Sequence, residues 1–271
     1  MTEQRVAVVT GVSSGIGESI ARALVKEGYR VFGSVRSESA VVPDSVERVV
    51  LDVRDDASVA AAVATVLSRA GHIDVLVNNA GGSIVGAIEE TDTAQAQALF
   101  DVNFFGAVRM TRAVLPSMRA RHGGRIVFVS SVVGFLPAPF LGFYAASKHA
   151  LEGYAETLDH EVRALGVRAI LVQPAFMRTK IDANSVRAAR PIDDYAVARG
   201  RAGASIRAKV EHGDDPALVA KAVVAALRAD RPKLRHPVGK GAGTLAALRD
   251  LMPAGLFDRG LRKQFGLDAE G

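Results

Sequence analysis

The feature that most constrains this chain is an alternation. Short runs rich in Val and Ile recur between longer stretches of helical periodicity throughout the first 175 residues. The runs are "RVAVVT" (5–10), "YRVFGSVR" (29–36), "ERVVLDV" (47–53), "IDVLVNNAG" (73–81), "GRIVFVSS" (124–131) and "VRAILVQP" (167–174), with a weaker one, "KLRHPV", at 233–238. Helical patterns occupy 15–28, 56–70, 92–121, 143–165 and 215–229. Strands that are apolar throughout and separated by helices imply a parallel sheet covered on both faces, joined by right-handed crossovers. The expectation is one α/β domain over residues 1–271, with about seven doubly wound strands.

Between the first run and the first helix lies "TGVSSGIG" (10–17), three glycines in seven residues. A strand ending at Thr10 and a helix opening near Gly15 aim free backbone N–H groups and the positive helix end at whatever sits above the turn. Gly11 supplies backbone angles closed to other residues, Gly15 allows close approach of a pyrophosphate, and Gly17 lets the helix pack on the sheet. In such Rossmann-type folds an acid about 20 residues further on holds the adenosine ribose of NAD. Here the second strand ends "FGSVRSES", with Val35 and Arg36 at that place. A guanidinium suits the 2′-phosphate of NADP, so NADP is expected over NAD; Ser14 and Ser34 or Ser37 can add hydrogen bonds. Asp52 follows the third strand, beside the expected adenine. Asn78 and Asn79 end the fourth strand, where Ala80 and Gly81 leave room for the cofactor, and their amides call for partners across the strand ends.

The segment 143–162 reads as a helix on which Tyr144 and Lys148, four apart, share a face. A phenol near its reference pKa of about 10 is a poor acid at neutral pH, and a neighbouring ammonium lowers that value. The pair can therefore move a proton to or from an alcohol oxygen. Ser131, at the end of "VFVSS", can point into the same crevice and hold a carbonyl oxygen.

These pieces resemble the short-chain dehydrogenase/reductase family from about Arg5 to Thr179, on TGVSSGIG (10–17), NNAG (78–81), Asn103 in "FDVNFFG", Ser131 and YAASK (144–148). The resemblance implies that Tyr144 is the general acid/base, that Lys148 lowers its pKa and holds the nicotinamide ribose, and that Ser131 orients the substrate oxygen. It also implies that Asn103 helps hold a water relaying protons to Lys148. The cofactor set it implies is Gly11, Ser13, Ser14, Gly15, Ile16, Gly17, Arg36, Asp52, Val53, Asn79, Ala80, Gly81, Tyr144 and Lys148, with Pro174, Ala175, Phe176 and Thr179 after the sixth strand. Ala175 stands where the family usually has Gly. "VFGSVR" and "SKHALEG" resemble the hydroxysteroid and retinol dehydrogenase-like branch.

Val133, Phe135, Leu136, Phe140, Phe143, Phe176 and Met177 are the expected pocket, which suits a hydrophobic ketone, aldehyde or alcohol. Residues 178–212, of mixed charge and weak periodicity, read as a substrate lid. Residues 242–271 read as two short helices divided by Pro253. The stripe on 151–165 and the helix 92–121 offer faces for a homodimer or homotetramer. A non-catalytic NADP(H)-binding sensor or scaffold is the competing reading, disfavoured by the complete Ser, Tyr and Lys set.

Composition narrows the rest. The absence of Cys removes disulfides and thiolate chemistry, and the six His are scattered without metal-ligand spacing, so no metal is expected. A net charge of +5 is spread over 34 basic and 29 acidic residues instead of a dense block, which argues against nucleic acid. "MTEQRVAVVT" carries no signal-peptide pattern, and no apolar run approaches the roughly 20 residues of a membrane span. The expected location is the cytoplasm.

Overall fold

The computed structural model of the chain describes residues 3–179, 185–249 and 251–267. The alternation folds as strand β1 (Val6–Val9), helix α1 (Gly15–Lys26), β2 (Arg30–Val35), β3 (Val46–Val50), α2 (Asp56–Ala70) and β4 (Val75–Asn78). A two-residue strand β5 (Ile84–Val85) precedes α3 (Thr93–Phe100), a π-turn at Asp101–Phe105, α4 (Gly106–Ala120), β6 (Gly124–Val129), α5 (Gly142–Val162) and β7 (Val167–Pro174). Beyond these come β8 (Val186–Arg187), α6 (Ala196–Glu211), α7 (Ala217–Arg228), β9 (Arg235–Val238), α8 (Ala242–Arg249) and α9 (Ala254–Gln264).

Seven strands form one sheet in the order β3-β2-β1-β4-β6-β7-β9, and every pairing is parallel. The weak run 233–238 supplies β9. Its Pro237 lacks an N–H donor and is tolerated because β9 is an edge strand. Chain order reverses between β1 and β4, so a crevice opens at the carboxyl ends of those two strands.

Local signals set the helix ends. Asp55 caps α2 by accepting the Ala57 N–H at 2.8 Å, a contact worth about 1 kcal/mol, and Gly71 closes the same helix at φ +79°. Val63, Met110, Phe128 and Leu151 fill one face of the sheet under α2, α4 and α5; Ile20, Leu24 and Val223 fill the other under α1 and α7. Phe32 and Phe128 are fully buried, each worth about 2 kcal/mol of transfer free energy.

The helix expected over 92–121 is not continuous, because the π-turn inserts one extra residue into its middle. Long-range contacts hold that turn open. Asn103 bonds the backbone of Gly82, and Gly106 lies against Val53 so closely that a Cβ would stand 2.7 Å from Val53 Cγ2. The stripe on 151–165, expected as an oligomer face, turns inward: Leu151, Leu158 and Val162 are buried in the chain's own core. On the π-turn, Phe105 is 48% exposed.

Within the stretch 178–212, residues 180–184 lie outside the described residues. The remainder forms β8, which pairs in parallel with β5 as a separate two-stranded sheet, and the sixteen-residue α6. In the C-terminal stretch, residue 250 and residues 268–271 lie outside the described residues. Pro253 precedes α9, whose Phe257 and Leu261 pack, with Phe265, against Leu136, Ala202 and Ile206. No helix among the described residues is long and apolar enough to cross a membrane.

Candidate active site

The crevice at the strand reversal is a cleft of about 780 Å³. At its floor lies the glycine turn, with Gly11 at φ +73° and Gly15 at φ +65°. Gly17 has no room for a side chain, since a Cβ there would fall on the Gly11 carbonyl and the Asn79 amide. Thr10 and Asn79 lock the turn from below. The Thr10 hydroxyl accepts the N–H groups of Asn79 and Ala80 at 2.9 Å each, and Asn79 Nδ2 donates to the carbonyls of Thr10 at 2.9 Å and Gly11 at 3.1 Å. Ser34 Oγ accepts the Gly11 N–H at 3.1 Å. Asn78 faces the other way, donating to Thr111 Oγ1 at 3.3 Å.

Helix α1 begins under the cleft with no side-chain cap from Ser14, which leaves its positive end available to an anion. Ser13, Ser14, Gly15, Ile16 and Gly17 line the cleft, joined by Asn79, Ala80 and Gly81. Further along stand Val35, the exposed Arg36, Leu51, Asp52, Val53 and Arg54. Asp52 pairs with Arg54 at 2.6 Å. That hydrogen bond, with a smaller pull from Arg36, holds its carboxyl down to about 2 against the opposing effect of burial. On the opposite wall are Pro174, Ala175, Phe176, Met177 and Thr179. Ala175 fits where Gly was usual: its N–H donates to the Val238 carbonyl at 2.8 Å, and it is not among the residues with positive φ. An open backbone cradle, a helix terminus and a basic end fit a nicotinamide dinucleotide.

At the centre of the cleft α5 presents Tyr144 and Lys148, and the end of β6 presents Ser131. Lys148 is 6% exposed, and its Nζ donates to the Val129 carbonyl at 2.9 Å and stands 5.8 Å from the centroid of the Tyr144 ring. Burial brings its ammonium down to about 8, against the upward pull of Glu152. Glu152 is itself buried, accepting from Gln173 Nε2 at 3.0 Å on both oxygens and from Arg235 at 3.1 Å. Burial pushes the Tyr144 phenol up, and a hydrogen bond with Ser131 works in the opposite direction. The depression expected of Tyr144 therefore does not prevail, because desolvation is the larger effect. Ser131 Oγ also accepts the Val133 N–H at 3.3 Å.

Asn103 is buried in the π-turn. Its Oδ1 accepts the Gly82 N–H at 2.8 Å, while Nδ2 donates at 3.0 Å to both the Gly82 carbonyl and Ser147 Oγ. Ser147 in turn donates to the Tyr144 carbonyl at 2.8 Å. The amide thus ties the loop after β4 to the first turn of α5.

Of the residues expected around the substrate, Val133, Phe176 and Met177 line the cleft. Phe135, Leu136 and Phe140 do not; they pack in the cluster that receives α6 and α9, and Phe143 is also absent from the cleft wall. The chain turns sharply here, with Phe140 in the left-handed region at φ +62°, so this apolar run is split between two destinations. Ile84, Val85, Leu99, Val102, Ile206 and Val210 supply the apolar wall instead. Ile206 and Val210 stand four apart on α6, the only signal in the sequence that could have marked them. No group of three or more His, Cys, Asp or Glu among the described residues is placed to hold a metal ion.

Comparison with known proteins places this geometry. A curated 3-ketodihydrosphingosine reductase of Bacteroides thetaiotaomicron is 34% identical over 263 residues, covering 96% of this chain and 97% of that protein. Retinol dehydrogenase 8 of Bos taurus is 34% identical over 272 residues, covering 93% and 86%. Among solved structures, a short-chain dehydrogenase from Streptomyces avermitilis superimposes with a TM-score of 0.80 at 35% identity, over 96% of this chain and 99% of that one. A Burkholderia phymatum member in complex with NAD gives 0.78 at 28% identity, over 93% and 94%. A Burkholderia cenocepacia member in complex with NADP gives 0.75 at 27% identity, over 99% of both chains. Residues 5–190 match the family model of short chain dehydrogenases, and the chain belongs to that family of oxidoreductases.

Proposed function

We propose that the protein is an NADP(H)-dependent oxidoreductase that interconverts a hydrophobic ketone or aldehyde with its alcohol by direct hydride transfer, Tyr144 acting as general acid and base. The observation that carries this is the meeting of Ser131, Tyr144 and Lys148 in the same cleft as the glycine turn. The nicotinamide, when bound, supplies or accepts the hydride.

In the reducing direction Ser131 and Tyr144 hold the carbonyl oxygen, and the phenol, kept protonated by burial, gives its proton to that oxygen. Lys148, fixed by the Val129 carbonyl with its Nζ 5.8 Å from the centre of the Tyr144 ring, stabilises the phenolate that remains and holds the nicotinamide ribose. Asn103, its amide committed to Gly82 and Ser147, serves the proton path by fixing the start of α5. Gly11, Ser13, Ser14, Gly15, Ile16 and Gly17 receive the pyrophosphate, and Pro174, Ala175, Phe176 and Thr179 flank the nicotinamide.

Arg36 favours NADP, because Asp52, the acid on that wall, is already paired with Arg54. The apolar wall from Val85 to Val210 favours a hydrophobic substrate, as do the names of the reductase and retinol dehydrogenase relatives. Helix α6 serves as the lid on that wall and the C-terminal helices brace it. The setting proposed is a cytoplasmic homodimer or homotetramer.

The test is consumption of NADPH and NADH against aliphatic, aromatic, steroidal and retinoid carbonyls, with Tyr144→Phe alongside. Turnover with NADPH that vanishes in the variant, while cofactor binding persists, is expected. Cofactor binding without turnover of any carbonyl would favour a sensor.

A further inference from the structure

A second cavity, of about 570 Å³, lies beneath α6 and shares Val85, Ser185 and Ile206 with the wall of the catalytic cleft. Its chemistry differs from that of the apolar wall. Three guanidinium side chains, Arg187 from β8 and Arg199 and Arg207 from α6, line it, and among the described residues the one acid there is Glu90. Glu90 is fully buried, and its charge is already answered. Its carboxylate accepts the N–H groups of Ala87 and Ile192 at 2.9 Å each and pairs with Arg199. Arg199 is thereby a fixed part of the wall. Among the described residues, the guanidinium groups of Arg187 and Arg207 have no ion-pair or hydrogen-bond partner.

The backbone of α6 adds an independent observation. Ala196, Gly200 and Gly203 face the cavity at helical spacing. Glycine weakens a helix interior, and here close packing does not require it. A Cβ at Gly200 would touch nothing within 4 Å, and one at Gly203 would meet only Arg207 Nη1, at 3.4 Å. The Arg207 guanidinium lies back along its own helix beside Gly203.

We propose that this cavity is an oxyanion subsite, in which Arg187 and Arg207 bind a carboxylate or phosphate at the far end of a substrate whose hydrocarbon body lies along the apolar wall of the catalytic cleft. This deepens the reductase reading and rests on it for the position of the reacting carbonyl. An excess of unpaired guanidinium groups, joined through Val85 and Ile206 to the proton donor's cleft, is the arrangement such an amphipathic molecule requires.

The experiment is calorimetric titration of the full chain in the presence of NADPH with three unreactive ligands of equal chain length: an alkyl carboxylate, its methyl ester and an alkyl phosphate. One or both anions should bind roughly tenfold tighter than the ester at low salt, and the stronger of the two identifies the group. The advantage should shrink as salt rises. It should disappear in the Arg187→Ala/Arg207→Ala double variant, while the ester's affinity stays as it was. Equal binding of ester and anions by the unaltered protein, or an anion preference that survives in the double variant, overturns the subsite. Reduction of a ketone carrying the same ester end reads the chemistry separately. Turnover without anion preference sinks the subsite alone, and anion preference with no turnover of this ketone or of any carbonyl in the panel sinks the reductase reading while the subsite stands.

Discussion

Lys148 Nζ donates a 2.9 Å hydrogen bond to the carbonyl of Val129, pinning α5 to the last residue of β6, two residues before Ser131. One carbonyl does not replace the water that burial removes, so the ammonium drops to about 8. The activity should follow. With Lys148 needed in its charged form beside Tyr144, kcat/KM for carbonyl reduction should fall as pH rises through about 8. A profile flat from pH 7 to 10 would remove Lys148 from that role. Stability runs the opposite way. Between about 8 and the ordinary lysine value of 10.5 the unfolded chain binds more protons at this residue than the folded one, so this residue's contribution to stability rises with pH across that window. Chemical denaturation of Lys148→Met beside the unaltered protein at pH 7.5 and 10 checks the sign, because the difference between them should shift in favour of the lysine at the higher pH.

Gly17→Ala asks whether the cradle is as tight as its geometry indicates. The added Cβ would meet the Gly11 carbonyl and the Asn79 amide, and Asn79 is itself tied to Thr10 and Gly11, so neither neighbour can yield cheaply. Overpacking of this kind costs about 1–3 kcal/mol. Thermal unfolding should show a lowered Tm, and NADPH titration should show affinity weakened by tenfold or more. Near-normal values for both would mean that the turn is looser than its geometry implies.

Arg36→Ala tests the choice of nucleotide. Arg36 is exposed, so its pairing with a 2′-phosphate is screened and is expected to contribute about 1–2 kcal/mol. NADPH affinity should drop roughly tenfold while NADH affinity stays nearly constant, and added salt should narrow the gap. If both Kd values are unchanged, the NADP assignment fails. If NADH binding falls equally, Arg36 holds something common to both nucleotides.

The parts of this site that could be read from the chain are those built on local periodicity. Tyr144 and Lys148 meet because four residues span one helical turn, and Ser131 and the glycine turn sit where strands end. Direction is another matter. Phe135, Leu136 and Phe140 are as hydrophobic as a pocket would need, but the left-handed backbone at Phe140 and the arrival of α9 send them into a packing cluster. Strands β5 and β8 are two residues each, too short for any period to show, and they exist only because distant segments pair. The π-turn is equally invisible: nothing near Asn103 in sequence marks it, and its partners are Gly82 and Ser147. The lining by Ile206 and Val210 was obscured because α6 is rich in Ala, Gly and Arg and shows no clear apolar face.

Asn103→Ala turns that hidden network into a measurement. Removing the amide leaves the Gly82 N–H and carbonyl and the Ser147 hydroxyl without their buried partner, at a cost of about 1–3 kcal/mol. A purely structural loss would end there, as a lowered Tm with normal kinetics at low temperature. Ser147, however, passes the connection to the Tyr144 carbonyl at the first turn of α5, and a catalytic group displaced by about 1 Å can lose up to a hundredfold in rate. At a temperature where the variant is fully folded, kcat should fall by tenfold or more while the Kd for NADPH, which the proposal assigns to the glycine turn and Arg36, moves little. Asn103→Asp separates the two bonds to Gly82. Its carboxylate keeps an acceptor for the N–H but opposes the carbonyl and cannot donate to Ser147, so it should fail to restore kcat. Recovery of kcat by Asp would place the residue's contribution in the single bond to the Gly82 N–H and remove Ser147 from the account.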